Sequence, residues 1–593
     1  MATAAAPPTA GTRPRARFDD LRAGSAMAFD GVEAELVAVT PDEVAVVLDE
    51  VDRVAAAGRW AFGFVAYEAA AGLDPDLAVH EPVEGLPLAW FGVSRGPVPV
   101  DVVAPAAARG PAAGPWVCDW DEVRHAAAVA AVRERIAAGD TYQCNLTTRL
   151  SAPMTGDVGD LYADMALGQR GAHNALIDLG RFAVCSASPE LFLDWVGDRV
   201  TMAPMKGTAA RGRTAAEDDA AVARLRASGK DRAENVMIVD LVRNDLARVA
   251  RTGSVTVTAL CEAERFETVH QLTSRVTADV LPGTGLTDVF RALFPSGSVT
   301  GAPKLRSMEL IRDLEDGPRG VYCGAIGVVA PPGAPFRARF SVAIRTAVVD
   351  RSTGTAVYGA GGGITWGSEP AAEYAELLAK ARVLDARPEE FALLETMRWQ
   401  SGRGIRSLDA HLARLAASAA YVGFRFDEAA ARSALLGLTG DGDLRVRLLC
   451  RRDGALAVDV APAPEADARP LRLAVDDDPI DSREWWPHHK TTRRRPYTER
   501  RDRHPAADEV VLVNERGEVT EACTANLAVR LGGRWWTPPL GNGCLPGVER
   551  GRLVAAGVLA ERALRPADLR AAEELALVNS LRGWRPAVLA GGA

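Results

Sequence analysis

Lys206 and Lys490 are the side chains of this protein best suited to covalent chemistry. They belong to a set of only five lysines, with Lys230, Lys304 and Lys380, among 69 basic residues in a chain of 593. Everywhere else positive charge is supplied by arginine, which keeps its proton in a protein, whereas lysine can act as a neutral amine nucleophile or form a Schiff base. The alternative for any one of the five is a surface position without a chemical task.

Carboxylates form the second constellation. Asp231 and Glu234 lie three apart in KDRAENVM, and Glu373 and Glu376 repeat that spacing in EPAAEYAELLAK, with Lys380 one turn further on. Such spacing puts each pair on one helix face. Four inward carboxylates repel unless a cation lies between them, and hard oxygen ligands without nearby histidine or cysteine suit Mg²⁺ bound together with an anionic substrate. Two solvated helix faces are the competing reading. The eight cysteines are scattered singly, without a CxxC pair, which fits reduced thiols rather than a disulfide framework or a zinc site. The net charge of −9 is unevenly shared: residues 1–390 carry 39 basic and 51 acidic groups, and residues 391–593 carry 30 and 27. An acidic front half argues against nucleic-acid binding. No apolar run approaches the ~20 residues that span a bilayer, and the first fifteen residues lack the apolar stretch of a signal peptide. A cytoplasmic protein without membrane partners is therefore expected. YGAGGGI at 358–364 does not match GxGxxG, and no Walker A sequence is present.

These residues need scaffolds. After a tail at 1–15, the spacing predicts helices at Pro41–Ala57 and Trp120–Ala138. Short apolar runs fall at Glu35–Val39 and Trp60–Tyr67, and strands are predicted at Thr141–Leu150, Phe182–Ser186, Leu191–Trp195, Val255–Thr258, Gly320–Val329 and Ala338–Val349. A Pro/Ala/Gly passage at Pro97–Pro115 reads as a linker. The pattern resets near Arg387, so two units are expected: residues 16–387, with a core at about 115–384, and residues 388–593.

The strings GDTYQCNLTTR, SASPELF, PMKGTAARG, KDRAENVMIVDLVRNDLARV, FPSGSVTGAPKLRSMELI, GVYCGAIG and GAGGGITWGSEPAAEYAE resemble the chorismate-utilising enzymes. The resemblance implies a large mixed α/β domain acting on a Mg²⁺-bound dicarboxylate. It casts Asp231, Glu234, Glu373 and Glu376 as the metal shell, with the shorter Asp231 leaving room for an intervening water. Glu190 becomes the general acid for a departing C4 hydroxyl. Gln143, His270, Thr300, Tyr322, Arg345 and Lys380 become substrate contacts, with Gly361, Gly362 and Gly363 offering backbone amides to a carboxylate. Gln143 stands where water-using members carry a lysine base. Lys206 stands where anthranilate synthases carry a small residue, and there resembles aminodeoxychorismate synthase component I. That branch implies lysine attack at C2 followed by ammonia at C4. No glutaminase-like cysteine turn is present, so a separate glutamine amidotransferase is the implied partner.

LLETMRW, LDAHLARLAASAAYVGF, HHKTTRRRPY, DEVVLVNERGEVTEACTANLAV, WWTPPLGNGCLPGVERG and NSLRG resemble fold-type IV pyridoxal-phosphate enzymes, particularly aminodeoxychorismate lyases. Lys490 is the only lysine of this half, so a Schiff base with the cofactor must use it. The resemblance implies Glu521 at the pyridine nitrogen. It places Arg414 bidentate on the phosphate, with Ser580 and the backbone of Gly547 and Val548 beside it. Thr396 would assist proton delivery, and a homodimer through this half is implied. The basic run Arg493–Arg495 is read as a solvated surface stretch with one arginine used, the alternative being that it steers a dicarboxylate substrate. The overall expectation is an α/β (α+β) chain, a chorismate-utilising domain followed by a smaller fold-type IV domain, making 4-aminobenzoate from chorismate and ammonia. Three alternatives stand beside it: an anthranilate-synthase-like front, a fold-type IV aminotransferase rear, or a non-catalytic scaffold.

Overall fold

The computed structural model describes residues 15–105, 111–385, 389–465 and 469–590. The expected tail lies outside these residues except for Arg15, which opens a strand. The chain resolves into two units, Met1–Ala210 with Val222–Pro388, and Arg211–Ala221 with Glu389–Ala593. The stretch Arg211–Ala221, read from sequence as part of the front domain, thus groups with the second unit.

The first unit is built on two antiparallel ten-stranded sheets. One centres on the long strands Gln143–Pro153 and Thr355–Ile364, paired from Cys144↔Ile364 to Pro153↔Thr355. Alternation along them sends Leu150, Ala152, Ala356, Tyr358 and Ala360 into one core with the helix Val158–Gln169. The other sheet carries Met205–Ala210 at its edge, followed by Val269–Asp279, Arg199–Ala203, Leu191–Val196 and Ala338–Val342. Its apolar face packs on helices Pro41–Ala56 and Gly229–Ala247 through Val47, Leu48, Val51, Ile238 and Val242.

The predicted strand Ala338–Val349 is in fact two strands in different sheets, Ala338–Val342 and Thr346–Asp350. Arg345 breaks it with φ of 52°, a left-handed conformation outside the extended region of a regular strand. Gly320–Val329 is likewise shorter than expected. Gly320 and Cys323 carry φ of 61° and 63°, and the strand begins only at Ala325. The expected linker contains a short strand, Val98–Val100, with residues 106–110 outside the described set.

The second unit combines a four-stranded antiparallel sheet with a mixed eight-stranded sheet. In the first, Leu393 and Met397 on the strand Leu393–Gln400 bury against Leu412, Leu415 and Ala419 of the helix Leu408–Val422. The second includes Val519–Ala522, Asn526–Leu531 and Glu574–Asn579. No described helix is long and apolar enough to cross a membrane.

Candidate active sites

The first unit holds a cavity of about 170 Å³ lined by Glu190, Lys206, Asp231, Glu234, Tyr322, Arg345, Gly361–Gly363, Glu373, Glu376 and Lys380. Nine expected positions and the glycine run therefore converge from strands and helices far apart in sequence. Three others stand back. His270 is buried while its neighbour Gln271 lines the wall. Thr300 spends its hydroxyl on Ser296 O at 3.1 Å. Gln143 lies behind the lining, yet a Cβ on Gly363 would come within 2.8 Å of both Gln143 Nε2 and Lys206 Nζ. The missing side chain at Gly363 leaves room for both side-chain ends to approach the strand.

Charge pairing organises this cavity. Lys206 Nζ lies 3.2 Å from Glu234 and 3.4 Å from Gly363 O. Lys380 bonds Glu376 at 2.8 Å and Gly361 O at 2.8 Å. Lys380 is buried enough to lower its pKa, while its ammonium holds the Glu376 carboxyl below the usual range. The helix bearing Asp231 and Glu234 begins where Ser228 Oγ accepts Asp231 N at 3.2 Å, an N-cap that fixes their orientation. Asn235, one residue on, donates to Lys206 O and Leu272 O at 3.1 Å each, tying helix to strand.

Glu190 is buried, and desolvation pushes its pKa up to about 7, partly opposed by the hydroxyl of Ser298, which donates to Oε1 at 2.6 Å. A carboxyl placed so is a competent acid near neutral pH. Sequence reading passed over Ser298. It sits in the quoted FPSGSVTGAPK string, but nothing in its spacing connects it to a residue 108 positions earlier.

The second unit holds a larger cavity of about 650 Å³, lined by Thr396, Arg414, Lys490, Glu521, Gly547, Val548 and Ser580, all expected positions. Lys490 is half-buried in the cavity wall, and desolvation lowers its pKa to about 8, aided by Arg414 and Arg494 against the opposing Glu395 and Glu521. Its carbonyl accepts Leu394 N at 2.9 Å, pinning the lysine loop to the Thr396 strand. Burial pushes Glu521 up to about 7 although Leu545 N, Tyr497 Oη and Asn526 Nδ2 donate to it at 3.1, 3.0 and 3.3 Å. Gly547 caps the helix Val548–Ala555 and must be glycine, because a Cβ would lie 1.9 Å from Asn526 Oδ1.

Arg414 departs from expectation. Its Nε and Nη2 face Glu395 at 2.8 and 2.6 Å, and Nη1 donates to Pro546 O at 3.0 Å. The bidentate edge is therefore occupied by a buried carboxylate, which His411 also bonds at 2.7 Å. Burial alone would raise Glu395, but Arg414 and His411 outweigh it and hold the pKa at about 2. Of the basic run, Arg493 and Arg494 both line the cavity, rather than one, and Arg495 pairs with Glu499 outside it.

Residues 104–386 match the family of chorismate binding enzymes, and residues 392–589 match amino-transferase class IV. This chain joins a chorismate-binding domain to a class IV amino-transferase domain. It is 42% identical over 270 residues to anthranilate synthase component 1 of Streptomyces coelicolor, covering 45% of this chain and 52% of that one. It is 39% identical over 249 residues to aminodeoxychorismate synthase component 1 of Escherichia coli K12, covering 42% and 54%. The chain spans between a third and just over half the length of the first curated relatives it matches. Among solved structures, anthranilate synthase component I of Streptococcus pneumoniae superimposes with a TM-score of 0.51 at 27% identity, covering 63% of this chain and 90% of that one.

Proposed function

We propose that the chain makes 4-aminobenzoate in two steps, aminating chorismate in the first unit and releasing pyruvate from the product in the second. The observation that carries this reading is Lys206. Relatives of both activities match almost equally well, so overall similarity does not choose between them. An amine in the same cavity as the buried acid Glu190 supports the covalent route. In that route Lys206 bonds to C2 of the ring as Glu190 gives its proton to the departing C4 hydroxyl. Ammonia then adds at C4 and the lysine leaves, restoring the amine. Arg345, Lys380 and the Gly361–Gly363 backbone hold the substrate carboxylates.

The donor set of Asp231, Glu234, Glu373 and Glu376 suits Mg²⁺, since all four are hard oxygen ligands lining one cavity. Among the described residues no three such side chains gather tightly enough to hold a metal unaided. Substrate and water oxygens would complete the shell.

The second cavity fits pyridoxal phosphate. A lysine with lowered pKa, a buried carboxylate for the ring nitrogen and a helix N-terminus with Ser580 for the phosphate all face one space. When bound, the cofactor supplies an electron sink for loss of a proton beside the amine. Lys490 removes the C4 proton, Glu521 keeps the ring nitrogen protonated, Arg414 adds phosphate contacts through its remaining N–H groups, and Thr396 stands by the proton path. A separate glutamine amidotransferase, a cytoplasmic setting and a homodimer through the second unit complete the proposal.

Chorismate, ammonium and Mg²⁺ should yield 4-aminobenzoate plus pyruvate with pyridoxal phosphate, and aminodeoxychorismate without it. Formation of the ortho isomer would assign the first unit to anthranilate synthesis. Amino transfer to an added 2-oxo acid would assign the second to an aminotransferase.

A further inference from the structure

The second unit contains eleven residues, Arg211–Ala221, supplied from within the sequence of the first. They follow directly on the strand Met205–Ala210 that bears Lys206. Within the second unit they form an ordered strap. Arg211 Nε bonds both oxygens of Asp218 at 2.9 Å, and Gly212 N donates to Asp218 at 2.8 Å. A Cβ on Gly212 would lie 2.3 Å from Asp218 N, so the turn closes only around glycine. Arg213 N donates to Glu217 at 2.9 Å.

The strap meets the segment that carries Lys490 at Ser482, whose carbonyl accepts Arg213 Nη1 at 3.2 Å, and at the side chain of His489. His489, next to Lys490, places Nε2 3.0 Å from Arg213 O and Nδ1 3.0 Å from Ser418 Oγ. A carbonyl only accepts, so the proton sits on Nε2 and Nδ1 accepts the serine hydroxyl. Burial lowers the His489 pKa to about 4, which keeps this neutral form through physiological pH. Tyr421 stacks on the imidazole at 4.3 Å and donates its hydroxyl to Gly212 O at 2.7 Å. Arg211 lies over the Tyr421 ring at 4.5 Å and donates to Tyr421 O at 2.8 Å. Both sides of the imidazole edge are thus spoken for, one by the strap and one by the helix Leu408–Val422.

We propose that Arg211, Gly212 and Arg213 are positioning residues for Lys490, acting through the Arg213 carbonyl on His489 and so holding the lysine loop against the cavity. The groups facing His489 are Arg211, Arg213, Asp218 and His488, and those facing Lys490 are Arg414, Glu395, Arg494 and Glu521. None is altered by the substitutions below. This inference deepens the reading of Lys490 as the cofactor lysine, but its test does not need the cofactor.

The full-length apoprotein would be labelled with limiting acetic anhydride across pH 6–11 and Lys490 acetylation read by mass spectrometry. The wild-type midpoint is expected at about 8. His489→Phe keeps a flat ring against Tyr421 but donates nothing to Arg213 O. Its midpoint should rise by about one unit, leaving about eightfold less neutral amine at pH 7.5. His489→Gln, which retains an N–H donor, should recover at least half of that rise. Tyr421→Phe deletes only the hydroxyl bound by Gly212 O and should move the midpoint the same way by less. Circular dichroism checks folding, and should His489→Phe fail to fold, Tyr421→Phe decides. Wild-type midpoints in the folded variants overturn the proposal. Failure of the wild type to give a borohydride-fixed pyridoxal adduct at Lys490 would instead overturn the cofactor assignment and leave the labelling result standing.

Discussion

The two cavities present the same functional group in opposite surroundings. Lys206 is ion-paired with Glu234 in a space crowded by carboxylates and two further lysines. Lys490 has no carboxylate within ion-pair distance among the described residues, and burial together with Arg414 and Arg494 disfavours its ammonium form. The second amine is therefore prepared by the protein alone, before any ligand arrives. The first is held in place by Glu234, a partner that on the proposed covalent route has to be drawn away before the nitrogen can bond to carbon. A lysine nucleophile can be built either way, and the difference lies in whether readiness is constant or conditional on what enters the cavity.

The sharpest way to break the comparison is Lys490→Ala, which should lower pyruvate release at least 10³-fold, a scale in keeping with loss of a covalent catalyst, while aminodeoxychorismate accumulates by chromatography. Normal pyruvate release would remove Lys490 from the reaction. Next comes Glu190→Gln, expected to cost about 10²–10⁴-fold in amination. In the wild type, burial places the Glu190 pKa at about 7. The acid form predominates below that value, so amination should decline as pH rises through it. A kcat/KM profile of the glutamine variant should lack that limb.

Glu395→Ala tests the electrostatics on the other side. It leaves Arg414 and His411 without their shared buried carboxylate and should cost about 3–5 kcal/mol of unfolding free energy, read by denaturant titration of the second unit's transition. The smallest effect should come from Ser298→Ala. The hydroxyl bond to Glu190 favours the carboxylate, so its loss should move the alkaline limb of amination upward by about half a unit. A downward move would contradict the hydrogen-bonding assignment.

Much of both sites was legible because residue type and scarcity carry chemical meaning. Lys206, Lys490, Glu190 and Glu521 all reach the cavities their neighbouring strings implied. What escaped depends on geometry that composition does not encode. Arg345 and Cys323 adopt left-handed φ without being glycine, so strand-like alternation ran straight through two breaks. Glu395 was invisible beside Thr396 because alternation on a strand points adjacent residues to opposite faces, and only the helix packed beneath reveals its claim on Arg414. Gln271 was displaced by His270 for the same one-residue reason. Ser298 gained its partner only through folding.

The strap bears on how the polypeptide can be divided. Severing the chain near residue 388 would give a carboxy-terminal fragment containing every side chain that lines the 650 Å³ cavity but deprived of the eleven residues Arg211–Ala221. Such a fragment would expose the imidazole of His489 to solvent on the side its missing peptide covered. The halves of this enzyme are thus successive in sequence without being separable by a single cut.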